Sequence, residues 1–478
     1  MDLVSFSIRT KGLHNFTRRL WTVFTRFGFS EARSRAALRT IVGCLRENGS
    51  APTFFIPAVV LGRHPALLHE IAAEGAEIGI HGYVHNDYRT LTRQQQLDQT
   101  ADAIALFERV ALPFEGFRNP YLGWTEDSVR VFEELGFTYE SNEAVLHDVV
   151  QPDALPTRLR AGYLKSLSLF QAIECSAYTL RPHVEGTLVR IPTSIPDDEM
   201  LFDRLRITDP AAVGRLWSSV LRRVYDLGGI YVLNLHPERG VLCRQALATL
   251  LASAREAPLP IWLTPLRDVA AWWRERQTFR LAVTPLGAGR WQIEAECSPR
   301  ATVLARHVAV EGAAAAPWFG REQRVDDRRF SVRAERCPAV AIAPDTPWEV
   351  VAFLQEQGYP CLTASPEDAG SYAVFVELPE GFGMGRAEQM RRRRELVDHI
   401  ERADTPLVRF GLWPDSHRAA LSITGDIDSV TIQDFFRRIV EVRSPGPREQ
   451  HGGAAARPGP RANADAPAHD DSRANAPT

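Results

Sequence analysis

Residues 51 to 91 read APTFFIPAVVLGRHPALLHEIAAEGAEIGIHGYVHNDYRTL, and their pattern decides the fold. The opening run APTFFIPAVV (51–60) is apolar, aromatic and β-branched, the pattern of a buried strand. HPALLHEIAAEG (64–75) has the 3.6-residue period and stops at glycine, so it predicts a helix. AEIGIHG then predicts the next strand. Two strands buried along their whole length and joined by a helix form a crossover of a parallel sheet.

The same alternation continues outward. LTRQQQLDQTADAIALFERVAL (91–112) predicts a helix, and FEGFRNPY a strand running into a loop. TEDSVRVFEELG (125–136) predicts a helix opened by a capping box at Thr125. FTYESN and TLVRIPTSIPDD each predict a strand, the second ending in a loop. A helix at 212–229, the strand IYVLNLHP, a helix at 244–256 and a last strand–helix pair at 259–277 follow. Upstream, Leu3 to Arg9 predicts a strand and Asn15 to Leu45 helical structure. This count fits an α/β chain folded as a distorted (β/α) barrel over residues 1–272.

Beyond it the texture changes. Residues 273–346 are short runs with turn signals, expected to form a small antiparallel β domain. Residues 347–417 return to an α/β segment, with the arginine-rich helix 386–404 expected to lie on the exposed surface. Residues 418–441 read as strand, acidic turn and helix. The Pro-, Gly- and Ala-rich tail 442–478 is expected to be disordered.

A length of 478 residues calls for two or three domains. Apolar residues at 45% and a net charge of −3 favour a folded chain with no nucleic-acid or membrane partner. GxGxxG and GxxxxGK[ST] motifs are absent, so nucleotide binding by those routes has no support. Neither a secretory leader nor a membrane span is recognisable, and the six cysteines are widely spaced. A reducing, cytoplasmic setting is the default expectation.

Chemistry-bearing residues gather where predicted strands end. His81 and His85, four apart in HGYVH, suit one shared cation or ordinary polar and capping roles. Arg118 in RNPY could anchor a carboxylate, and His236 in LNLHP is placed for proton transfer or for a backbone bond. Asp197 and Asp198 in SIPDD are substrate-binding groups or plain loop acids. Strand ends of a parallel sheet share one face, and this set there suits metal-assisted hydrolysis.

With these motifs in hand, residues 40–270 resemble the polysaccharide deacetylases of the NodB-homology, carbohydrate esterase type. His81 and His85 match the family's HxxxH metal pair. Arg118, Pro120 and Tyr121 match RxPY, while Leu235 and His236 match the LH motif. The resemblance implies a divalent metal, with zinc the leading candidate, a carbohydrate or small-amide substrate, and hydrolysis of non-peptide carbon–nitrogen bonds. It also implies that Arg118 positions the base, that a backbone N–H near Tyr121 holds the oxyanion, and that His236 is the general acid.

One departure stands out. The family's first motif is an aspartate pair ending the first strand, yet between Met1 and Asn86 the only aspartate is Asp2. RAALSITGDIDSVTIQDFF (418–436) resembles that motif, displaced to the far end of the chain, which implies that residues 418–441 complete the barrel. Asp426 and Asp428 are then the expected base and metal ligand, in either order, with Asp87 a lower-ranked substitute ligand. Two other readings remain: hydrolysis of a small non-sugar amide, and a non-catalytic carbohydrate-binding protein on the same fold.

Overall fold

The computed structural model describes residues 26–377 and 385–442. The expected strand at Leu3 to Arg9 and the expected tail, apart from Val442, lie outside them.

Among the described residues, twelve strands form the main sheet. Its path runs from Ile173–Glu174 through Ala144–Leu146, Thr193–Ile195 and Ile230–Leu235 to Ala419–Asp426. It continues through Thr53–Ile56, Glu77–Ile80, Gly116–Phe117 and Tyr139–Glu140 to the hairpin of Leu188–Arg190 and His183–Glu185. Pairing is parallel throughout except in that hairpin. The sheet curls, and its path keeps two ends, so the architecture is an α/β distorted barrel.

Ala419–Asp426 sits at the centre. It pairs with Ile230–Leu235 on one side, Leu233 opposite Ile423. On the other side its first half pairs with Ile261–Leu263 and its last residues with Thr53–Ile56, Phe55 opposite Asp426. All eight of its residues are buried, as are all six of Ile230–Leu235. Such strands must be apolar or small on both faces, which is how ALSITG reads. Close packing also uses glycine: a Cβ on Gly116 would lie 2.0 Å from the ring of Tyr139 on the next strand.

Leu421 is fully buried in the core shared with Leu233, Ile423 and Val430. Leu421→Ala is expected to lower the unfolding free energy by about 2–5 kcal/mol, the usual cost of emptying such a site. Denaturant unfolding checks this, and a change under about 1 kcal/mol would contradict the strand's central place.

Some local boundaries differ from expectation. The run at 51–60 is not one strand: Thr53–Ile56 stops at Pro57, which lacks an N–H for the ladder and precedes the helix Ala58–Arg63. TLVRIPTSI splits into two strands around Ile191 and Pro192. The capping box at Thr125 is present, its side chain accepting from Ser128 N–H. Thr431 makes another at the head of Ile432–Glu441, with Asp434.

The middle of the chain forms two four-stranded antiparallel sheets and a three-stranded parallel one. Leu407–Phe410 returns from the α/β segment to pair with Val303–Arg306. These units share a core with the barrel: Phe55, Val232 and Ala420 belong to one apolar cluster with Trp272, Trp413, Val303 and Phe330. The helix Arg386–Arg402 is not simply an exposed surface, because Met390, Arg394, Val397 and Ile400 are buried. Arg386 reaches the buried Glu143 and the half-buried Glu185, whose carboxylates compensate its charge. None of the described helices is long and apolar enough to cross a membrane. None of the six cysteines is paired.

Candidate functional site

Parallel strands deliver their carboxyl ends to one edge, and that edge collects the predicted residues. His81 follows Glu77–Ile80, Arg118 follows Gly116–Phe117, His236 follows Ile230–Leu235, and Asp426 ends the central strand.

His81 is buried, and its Nδ1–H donates to the carbonyl of Arg118 at 2.8 Å. That bond leaves Nε2 as the lone-pair atom. Burial, aided by His85 and opposed by Asp426, pulls the imidazole pKa down to about 4, so the ring is neutral at pH 7. His81 Nε2 lies 3.6 Å and His85 Nε2 3.1 Å from the same oxygen, Oδ1 of Asp428. The three ligand atoms lie within 4.8 Å of one another. Burial opposes charge on Asp428, but His85 and Arg438 hold its carboxyl well below the usual range. Arg438, from the helix Ile432–Glu441, grips Oδ2.

This set fits a divalent cation. Two imidazoles and a carboxylate are zinc-type donors, and ligands on a tetrahedral zinc sit roughly 3.3–3.4 Å apart. Oδ1 of Asp428 is buried and accepts no aligned hydrogen bond, although a neutral imidazole nitrogen faces it. A lone pair facing a carboxylate oxygen is a poor arrangement without a cation between them.

Asp426 stands beside this group with both oxygens held. Arg118 Nη1 lies 3.3 Å from Oδ1, and Asn234 Nδ2 donates to Oδ2 at 2.8 Å. Arg118 is itself fully buried. Its guanidinium donates to Asn234 Oδ1 at 2.8 Å, Thr424 Oγ1 at 2.7 Å and Ser141 Oγ at 2.9 Å. Its carbon lies 4.5 Å from the centre of the Phe55 ring.

Along the edge, His236 forms a dyad with Asp198. Nδ1 lies 2.7 Å from Oδ1, and the His236 backbone N–H donates to Oδ2 at 2.9 Å. Burial works against the imidazolium, but the Asp198 charge and hydrogen bond lift its pKa well above the ordinary value. Asp197 differs from its neighbour: burial, with Asp198 and Glu199 adding repulsion and His236 opposing, pushes its carboxyl up to about 7. It also accepts the N–H of Met200 at 2.8 Å, a turn-closing role.

Tyr121 has a left-handed backbone (φ 60°) and is 40% exposed, its ring edge-on to His85 at 4.6 Å. The turn's own bonds use the N–H groups of Leu122 and Gly123. Asp87 does not join the cluster; its carboxylate pairs with Arg89 at 2.7 Å. Reading the sequence missed Asn234, Thr424, Ser141 and Arg438. Asn234 had a faint signal, two residues before His236 and so on the same face of its strand.

Residues 30–140 match the family model described as polysaccharide deacetylase. This stretch, about a quarter of the chain, is similar to the polysaccharide deacetylase domain. The matched stretch holds His81, His85, Arg118 and Tyr121, whereas Asp198, His236, Asp426 and Asp428 lie beyond it. A peptidoglycan deacetylase-like protein, FGM2, from Gibberella zeae is 36% identical over 92 residues, 19% of this chain. The aligned part spans about a quarter (27%) of that relative's length. A solved structure assigned as a polysaccharide deacetylase, from Mycobacterium smegmatis, is 23% identical with a TM-score of 0.39. It covers 51% of this chain and 79% of the other. A CE4-family pseudoenzyme from Bacillus anthracis is 16% identical with a TM-score of 0.33, covering 50% and 61%. At those values neither structure bears on what this site does.

Proposed function

We propose that this protein is a metal-dependent hydrolase of non-peptide carbon–nitrogen bonds that deacetylates an N-acetylated carbohydrate. The observation that carries this reading is the meeting of Asp428 with His81 and His85 from distant parts of the chain, with Asp426 close enough for its charge to act on His81. A non-catalytic carbohydrate binder needs no such pair of carboxylates beside the histidines.

His81, His85 and Asp428 would hold the cation. When bound, it supplies Lewis acidity toward an acyl oxygen and toward water. Asp426, held at both oxygens by Arg118 and Asn234, takes the proton of the attacking water. The water oxygen bonds to the acetyl carbon, and the backbone N–H of Tyr121 is the nearby donor for the oxyanion. The carbon–nitrogen bond then breaks as His236, oriented by Asp198, gives its proton to the leaving amine. Acetate and a free amine result. Asp198 thus positions the acid and does not bind substrate, and Arg118 positions the base.

Purified protein incubated with an N-acetylglucosamine oligomer should release acetate. No acetate from such oligomers, with ammonia or ring opening from cyclic amides instead, would replace the carbohydrate substrate by a small amide. Metal content is an independent check. The whole protein is expected to carry about one equivalent of divalent metal, and His81→Ala/His85→Ala almost none. Equal metal in both would remove the histidines as ligands.

A further inference from the structure

Arg418 immediately precedes the central strand Ala419–Asp426, at the end opposite the site just described, roughly 25 Å away along the strand. A cavity of about 440 Å³ opens there between the barrel, the antiparallel unit and the α/β segment. Its walls carry an excess of guanidinium. Seven arginines line it against five carboxylates, Asp226, Glu322, Asp398, Glu401 and Asp404, so two positive charges have no counter-charge.

Most of this cation is not on the surface. Arg181, Arg306, Arg394, Arg409 and Arg418 are all more than nine-tenths buried. Arg409 is matched, gripping Glu322 at 2.8 and 2.9 Å. Glu401 is shared among Arg181, Arg306 and Arg409 at 3.2, 3.9 and 3.8 Å. Arg418 has no such acid: it donates to the Asp226 carbonyl and stacks 4.0 Å from the centre of the Phe319 ring. The Nε–H groups of Arg418 and Arg181 are buried and have no acceptor. Burial, with Arg409 nearby, brings the Arg418 pKa down to about 10, as expected of a cation lacking its anion.

We propose that this three-way junction is a binding site for a phosphate dianion, free or as a small phosphate monoester, held chiefly by Arg418 and Arg181. A phosphate carries about two negative charges near pH 7, matching the excess, and its oxygens accept guanidinium donors in pairs. The cavity exceeds the size of one phosphate, leaving room for a small organic carrier.

Calorimetric titration of the full chain with inorganic phosphate, glycerol 3-phosphate and succinate tests this. Expected is one saturable site per chain with a Kd below about 1 mM for the phosphates and clearly weaker binding of succinate. The tighter of the two phosphates tells a free anion from a carried one. Arg418→Gln should weaken phosphate binding at least about tenfold, the loss of a charged hydrogen bond. If Arg418→Gln does not fold, the exposed rim pair Arg321→Ala/Arg402→Ala carries the test, with an expected weakening of about threefold from lost charge. The proposal is overturned by no saturable binding of either phosphate, by succinate binding as tightly, or by unchanged affinity in the folded variant.

Discussion

A chain ended at His417 is expected to lose the fold, the metal and the activity together. The cut removes a strand whose eight residues are all buried and which pairs with three neighbours. Leu421, Ile423, Ile427 and Val430 leave the core with it. At about 1.5–3 kcal/mol for each buried side chain, that loss approaches the about 5–15 kcal/mol by which whole domains are stable. The cut also removes Asp426, Asp428 and Arg438. Point variants separate the two effects. Asp428→Asn should keep the fold and lose metal, whereas Asp426→Asn should keep both and lose turnover. Circular dichroism, metal analysis and acetate release are the measurements. A folded 417-residue chain with full metal affinity and turnover would show that the C-terminal aspartates have no role.

His236→Ala is expected to lower turnover by about 10²–10⁴-fold with metal still bound, the usual worth of a positioned proton donor. The pH profile is more telling. His236 must be protonated to act, and Asp198 raises its pKa well above the ordinary value despite burial. Activity should therefore persist above pH ~6.5 and fall only as pH passes the raised value. Asp198→Asn should move that alkaline limb toward ordinary imidazole titration. Stability follows the same sign while Asp198 is ionised: the histidine's contribution is present below about pH 6.5 and lost as pH rises through its folded pKa. An alkaline limb unmoved by Asp198→Asn would mean that Asp198 does not tune the acid.

Much of this site was legible because its chemistry sits in short, punctuated strings. HGYVH, RNPY, LHP and GDID each follow an apolar run, and each reappears at a strand end. Asp426 and Asp428 could be placed at a strand end from ALSITGDID because a continuous buried strand ending in acid is rare away from a site. Other parts left no such mark. The cradle of Arg118 is built from Ser141, Thr193, Asn234 and Thr424, ordinary polar residues brought together from four strand regions by curling of the sheet. Arg438 lies ten residues beyond Asp428 and meets it only because the helix after the acidic turn packs back. Strands as short as Gly116–Phe117 have too few residues to show a period. Within the helix Thr157–Phe170, SLSLF alternates like a strand and hides the helical period.

The place of Ala419–Asp426 has a consequence for biosynthesis. Its partners Thr53–Ile56 and Ile230–Leu235 leave the ribosome long before it does. At about 5–20 residues per second, the wait after Thr53–Ile56 is roughly 20–70 s. Once Ile230–Leu235 has also been made, for roughly 10–40 s, two apolar edges of the nascent sheet stand apart with unpaired N–H and C=O groups, a template for pairing with another chain. The two halves of the sheet are therefore joined by the last-made of the described strands, and the yield in a cell depends on keeping that seam covered until then.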